Sequence, residues 1–266
     1  MTEEEVRFAG DQRDLDGYLI LPDGQGSHPA LIVIQEIWGV DDHIRDVCHR
    51  LAQLGYAALA PDLYTGELKE AMRPENITAG MAFMRQAPPE VQRDPSRLGA
   101  VLAERSPEER RALTTLIAVM SPERRTSFAR DLVGAFGYLA SRPEVDPDRI
   151  GSLGFCMGGG LSFRLATLKP RLRACVVFYG ENPPADGIAA IQAPVLGLYG
   201  AEDTRITDTL PDLVGQMEAA VKSFEHHIYE GAPHAFFNGT RPTYRPEAAA
   251  DAWRRALAFL ERTLRA

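Results

Sequence analysis

Short, uninterrupted apolar runs alternate along this chain with helix-length amphipathic segments, and few folds accommodate that rhythm. The runs predict strands over Asp16–Leu21, Ala30–Gln35, Ala57–Ala60, Ile150–Phe155, Ala174–Tyr179, Val195–Tyr199 and Phe224–Tyr229. Stretches such as Leu31-Ile32-Val33-Ile34 and Cys175-Val176-Val177-Phe178 contain no polar alternation, the mark of strands covered on both faces. Between them, Ile44, Val47, Cys48 and Leu51 make one buried stripe in a helix over His43–Leu54. Phe128, Leu132, Phe136 and Leu139 repeat it, as do Ala249, Trp253, Leu257, Leu260 and Leu264. Strand and helix in alternation imply a mostly parallel, doubly wound α/β sheet with helices on both faces.

A chain of 266 residues with 45% hydrophobic content buries a full core as one large α/β domain or two small ones. No linker divides it, so a single domain over 1–266 is expected. The strand–helix rhythm loosens between Pro61 and Phe128. Ser106-Pro107-Glu108-Glu109 reads as a helix start with a capping box, and Ser121-Pro122-Glu123 as a second helix start. A helical insertion over 65–127 is expected, as a cap over the site or as a peripheral decoration.

A net charge of −8 argues against a nucleic-acid partner, which calls for clustered Lys and Arg. No apolar run is long enough to span a membrane. The acidic start, Met1-Thr2-Glu3-Glu4-Glu5, is unlike a secretory leader, so a cytoplasmic protein is expected. The three cysteines are too widely spaced for a disulfide framework or a CxxC metal site. No metal or cofactor is expected, and a monomer is the default. Cys48 and Cys175 read as core residues.

Cys156 is different. Gly154-Phe155-Cys156-Met157-Gly158 joins the strand ending at Phe155 to a helical segment. A nucleophile on such a strand–turn–helix elbow sits at a strained backbone, and larger residues two positions either side would clash. The turn also sets the sulfur at a helix N-terminus, where the dipole favours a thiolate and the Met157 N–H faces an oxyanion. The plainer alternative is a buried cysteine with glycines for close packing. Among the six histidines, His234 alone hangs in a loop directly after the last strand, which suits a base. Asp203, ending the previous strand's loop, suits the group that orients it, with Glu202 as the runner-up. The order nucleophile, acid, base is that of α/β-hydrolases. The loop after Ala30–Gln35 offers the Ile37 N–H as second oxyanion donor. It also carries Glu36, read either as a carboxylate contacting the thiol or as a surface loop acid. Trp38 either lines the pocket or packs under the loop.

Gln35-Glu36-Ile37-Trp38-Gly39-Val40, Pro61-Asp62-Leu63-Tyr64, Gly154-Phe155-Cys156-Met157-Gly158-Gly159, Phe178-Tyr179-Gly180, Gly200-Ala201-Glu202-Asp203 and Gly231-Ala232-Pro233-His234 occur in order over most of the chain. Together they resemble the dienelactone hydrolase family. The resemblance implies the α/β-hydrolase fold and a Cys156-His234-Asp203 triad. It implies a thiol resting near Glu36, activated when substrate displaces that carboxylate, with Tyr64 in the Glu36 network. Members acting on dienelactone place an arginine shortly after the histidine to bind the substrate carboxylate. Here Asn238 stands in that place. Arg241 and Arg85 are the candidates to replace it, though Arg85 also fits a solvated helix face. The expected activity is hydrolysis of a small-molecule carboxylic ester or lactone through a thioester. The alternatives are a general carboxylesterase or thioesterase of the same fold, a non-catalytic small-molecule-binding protein, and a redox sensor.

Overall fold

An edge strand that the apolar pattern does not reveal opens the chain. β1 (Thr2–Ala9) pairs antiparallel with β2 (Asp14–Leu21). Its Glu3, Glu5 and Arg7 face outward while Val6 and Phe8 turn inward, Phe8 stacking on Tyr138 at 5.0 Å. The run of glutamates hides this alternation in the sequence. The same charges protect an exposed edge from pairing with another chain.

The computed structural model describes residues 1–88, 91 and 94–265. They form two units, Met1–Leu63 with Ser127–Ala266, and Tyr64–Thr126. After β2 come β3 (His28–Ile34), α1 (Asp42–Gln53) and β4 (Ala57–Pro61). The second unit then supplies α2 (Leu68–Ala71), α3 (Pro74–Gln86), α4 (Pro95–Ala103) and α5 (Pro107–Val119). α6 (Pro122–Ser141) leads to β5 (Val145–Phe155), α7 (Met157–Leu168) and β6 (Cys175–Phe178). A 3₁₀ turn, Ala185–Ala190, precedes β7 (Val195–Gly200), α8 (Thr204–Thr207), α9 (Leu210–Ala219), β8 (Phe224–Tyr229) and α10 (Pro246–Leu264).

The eight strands lie in the order β1-β2-β4-β3-β5-β6-β7-β8. β2 is antiparallel to its neighbours, and from β4 through β8 every pairing is parallel. Successive side chains point to opposite faces. Leu31, Val33, Leu153 and Phe155 join one core with Ile44, Val47, Cys48 and Leu51 of α1 and with Ala252, Ala256 and Phe259 of α10. The opposite face of β5 carries Ser152, whose hydroxyl meets that of Ser162 on α7 at 2.7 Å. Ser162 in turn contacts Cys175 at 3.4 Å. Cys48 and Cys175 are fully buried. In α10 Ala249, Leu260 and Leu264 are buried as expected, but Ala252, Ala256 and Phe259 complete the stripe while Trp253 and Leu257 flank it. Trp253 is left partly open and receives the Arg50 guanidinium at 4.0 Å.

Within the second unit the capping box at the start of α5 is complete. The Glu109 N–H donates to the Ser106 hydroxyl at 3.2 Å, and the Ser106 N–H donates to the Glu109 carboxylate at 3.0 Å. The Ser121 hydroxyl accepts from the Arg124 N–H at 3.2 Å in the first turn of α6. Gly80 of α3 admits Leu116 of α5, since a Cβ there would lie 2.3 Å from a leucine methyl. Among the described residues no helix is long and apolar enough to cross a membrane.

Candidate active site

β5 ends at Phe155 and α7 begins at Met157, leaving Cys156 as the corner with φ 54° and ψ −117°. A non-glycine residue in that region is strained. The turn closes because its flanks lack side chains. A Cβ on Gly154 would lie 2.0 Å from the Gly158 carbonyl oxygen, and one on Gly158 would lie 2.3 Å from that of Ile34. The elbow is thus pressed onto the end of β3, the strand that leads into Glu36 and Ile37. Cys156 remains half-buried. First-turn N–H groups of a helix have no intrahelical acceptor, so the elbow sets such a donor at Met157, next to the sulfur. Ile37 is buried in the turn after β3.

Two further loops meet at the carboxyl edge of the sheet. Gly200 ends β7, and a Cβ there would lie 2.3 Å from the Ala232 carbonyl oxygen. The Glu202 N–H donates to that carbonyl at 3.0 Å. This close approach brings Asp203 under His234, whose Nδ1 hydrogen-bonds the Asp203 carboxylate. Asp203 is buried and Glu202 is exposed, and it is Asp203 that His234 bonds. Cys156 lies close enough to His234 to act on it by charge and hydrogen bond. Burial works against a charged imidazole, but the charge and hydrogen bond of Cys156 and the bond to Asp203 outweigh it. They push the His234 pKa up to about 10. A proton held that tightly stabilises the folded chain fully below the ordinary histidine value of about 6.5. That stability is lost as pH rises through 10. The melting temperature of the wild type is therefore expected to exceed that of His234→Ala most at pH 6, with the gap shrinking toward pH 10. A gap that widens with pH would contradict this.

Glu36 is a fully enclosed acid, 2% exposed. Burial raises its pKa, while hydrogen bonds from Asn238 and Tyr179 and the nearby His234 oppose that and the Asp41 charge adds to it. The Tyr179 hydroxyl donates to Oε1 at 3.3 Å and the Asn238 amide to Oε2 at 2.5 Å. Tyr179 has φ 40°, and its ring lies edge-on to His234 at 5.1 Å. Neither partner of Glu36 is evident from the sequence pattern. A carboxylate buried after a strand demands donors, but nothing local says which residues supply them. Tyr64 lies in the second unit, buried, and Arg85 is an exposed residue of α3. Trp38 is partly exposed, and the Arg241 guanidinium stacks on its ring at 3.8 Å. Arg241 reaches the Asp41 carboxylate only at 3.9 Å, and its Nε is buried without a partner. Among the described residues no three His, Cys, Asp or Glu side chains are grouped to hold a metal ion.

The family model for dienelactone hydrolases matches residues 15–264. The chain belongs to the dienelactone hydrolase family. A carboxymethylenebutenolidase homologue of Saccharolobus solfataricus is 39% identical over 261 residues, covering 98% of each chain. The crystal structure of a dienelactone hydrolase homologue from Klebsiella pneumoniae superposes with a TM-score of 0.73 at 31% identity, covering 97% of this chain and 98% of that one. The acylaminoacyl peptidase of Pyrococcus horikoshii shares the fold at a TM-score of 0.67 and 15% identity. There the match covers 98% of this chain and 41% of the peptidase. This member of the dienelactone hydrolase family is thus an α/β-hydrolase in fold, with its elbow cysteine, loop histidine and loop aspartate gathered at one sheet edge.

Proposed function

We propose that the protein hydrolyses carboxylic esters or lactones with Cys156 as nucleophile, His234 as proton carrier and Asp203 as the group that orients it. The observation that carries this reading is the elbow cysteine beside a histidine already bonded to a buried aspartate. The relatives' name, carboxymethylenebutenolidase, points to a lactone as the kind of substrate.

The Cys156 proton passes to His234, whose pKa its surroundings push up to about 10. The thiolate attacks the acyl carbon, and the carbonyl π pair moves onto oxygen. The N–H groups of Met157 and Ile37 receive that oxyanion, each such donor being worth roughly 3 kcal/mol in the transition state. Collapse of the intermediate breaks the acyl C–O bond, and His234 gives its proton to the departing oxygen. The neutral imidazole then takes a proton from water, whose oxygen attacks the thioester. The carboxylic acid leaves and Cys156 and His234 recover their starting state. Acid quenching during turnover of a slow ester, followed by peptide mass spectrometry, is expected to find the acyl group on Cys156. An acyl group elsewhere, or none under burst conditions, would sink the reading.

Arg241 supports recognition of an anionic acyl group. Its guanidinium stacks on Trp38 of the oxyanion loop, keeps an unpartnered Nε and is only loosely tied to Asp41. Hydrogen bonds to charged groups contribute roughly 1.5–3 kcal/mol. Arg241→Ala is therefore expected to raise KM for a dicarboxylate monoester roughly ten- to hundredfold, with kcat nearly unchanged. KM for the neutral p-nitrophenyl acetate stays within about twofold by the same argument. Equal losses on both substrates would place the effect of Arg241 in structure rather than recognition.

A further inference from the structure

Asn238 is completely buried, and every polar atom of its side chain is committed. Oδ1 accepts from the Thr240 N–H at 3.0 Å and from the Thr240 hydroxyl at 2.7 Å. With two donors facing Oδ1, the amide has one admissible orientation, and Nδ2 must face Glu36. The backbone is fixed as well, with the Asn238 N–H on the Ala235 carbonyl and the Asn238 carbonyl taking the Arg241 N–H, both at 3.1 Å. An arginine here would have no acceptor to offer Thr240. This turn is therefore built around an amide.

The carboxyl it holds has little freedom left. Oε2 is taken by Asn238 and Oε1 by Tyr179. Tyr179 also lies within electrostatic reach of Cys156, and Glu36 within reach of His234 and Asp41. A Glu36 carboxyl released from Asn238 therefore turns toward the charge of His234, within whose reach it already lies. A buried carboxyl does not go without a partner.

We propose that Asn238 is a positioning residue that clamps Glu36 against Tyr179, so that Cys156 stays paired with His234 before any substrate arrives. The proposal rests on the nucleophile reading above and replaces substrate-driven displacement of Glu36 with a built-in restraint. Thr240 completes the clamp from the outside of the turn, where it is exposed.

The test is the rate at which iodoacetamide alkylates Cys156 in the substrate-free enzyme, read by mass spectrometry at pH 7. Cys48 and Cys175 are buried and do not compete. Asn238→Ala is expected to slow alkylation about tenfold, the scale of one hydrogen bond to an ionised group. Thr240→Ala keeps the amide and the fold, and is expected to slow it about two- to threefold, as a loosened neutral hydrogen bond would. Adding Glu36→Gln to either variant removes the acid that would draw His234 away from the thiol. The rate should then return to that of Glu36→Gln alone. Unchanged alkylation in both single variants overturns the proposal, as does slowing that persists in the Glu36→Gln background. The nucleophile reading fails separately, if wild-type Cys156 resists alkylation or carries no acyl group during turnover.

Discussion

Cys156→Ala is expected to lower kcat/KM for p-nitrophenyl acetate by a factor on the order of 10⁶, to the background of buffer hydrolysis. The size follows from how the site is wired. Cys156 and the bond to Asp203 together push the His234 pKa up to about 10. On the proposed mechanism the imidazole has nothing to activate without that sulfur, and Asp203 orients a group with no partner. Cys156→Ser is expected to recover little of the loss. A serine hydroxyl does not ionise beside an imidazole, so it does not replace the thiolate of the proposed mechanism. The half-buried position makes both variants stable enough to purify. Equal activity in wild type and Cys156→Ala would rule out covalent catalysis at this residue.

Gly158→Ala is expected to cost about 3 kcal/mol of stability or more, at the upper end for overpacked interiors. It should also abolish turnover. The added methyl would lie 2.3 Å from the Ile34 carbonyl oxygen and 2.4 Å from that of Gln35. Both are backbone atoms at the end of a central strand, and neither can swing aside as a flexible side chain does. Relief has to come from parting α7 from β3, which separates Cys156 from the loop bearing Glu36 and Ile37. Urea denaturation followed by circular dichroism measures the stability loss. Gly137→Ala is the control. No atom beyond its own helix lies within 4 Å of the Cβ it would add, so alanine in that helix should stabilise by about 0.5–1 kcal/mol. If Gly158→Ala melts like wild type, the elbow is looser than its contacts indicate.

What the sequence revealed and what it concealed follow from the range of the forces involved. The strands from β3 to β7 are legible because burial on both faces writes itself as local apolar runs. β1 is not, because one face is solvated and Glu3, Glu4 and Glu5 mask the inward Val6 and Phe8. The stripe of α10 is displaced from Trp253 and Leu257 to Ala252 and Ala256. Small residues let the helix lie close to the sheet, and hydrophobic size is a poor guide to that. The elbow is legible because its glycines answer a steric demand within a few residues. The clamp on Glu36 is not. Its donors come from Tyr179 and Asn238, which lie 143 and 202 residues away along the chain. Polar contacts of that range leave no periodic trace. Asn238 is visible in the sequence as a missing arginine, and only the fold reveals what it holds.

The same long range fixes the order in which the protein comes into being. β3 finds its neighbour β5 only after the whole of Tyr64–Thr126 has been synthesised. Such distant pairings make folding slow. A nascent chain thus exposes its cysteine on the ribosome well before the histidine that tames it has been translated. Chains cut short between Met157 and His234 carry an unrestrained thiol and no hydrolase. Quality control of this protein therefore turns on the segment that carries His234 and the helix Pro246–Leu264 behind it.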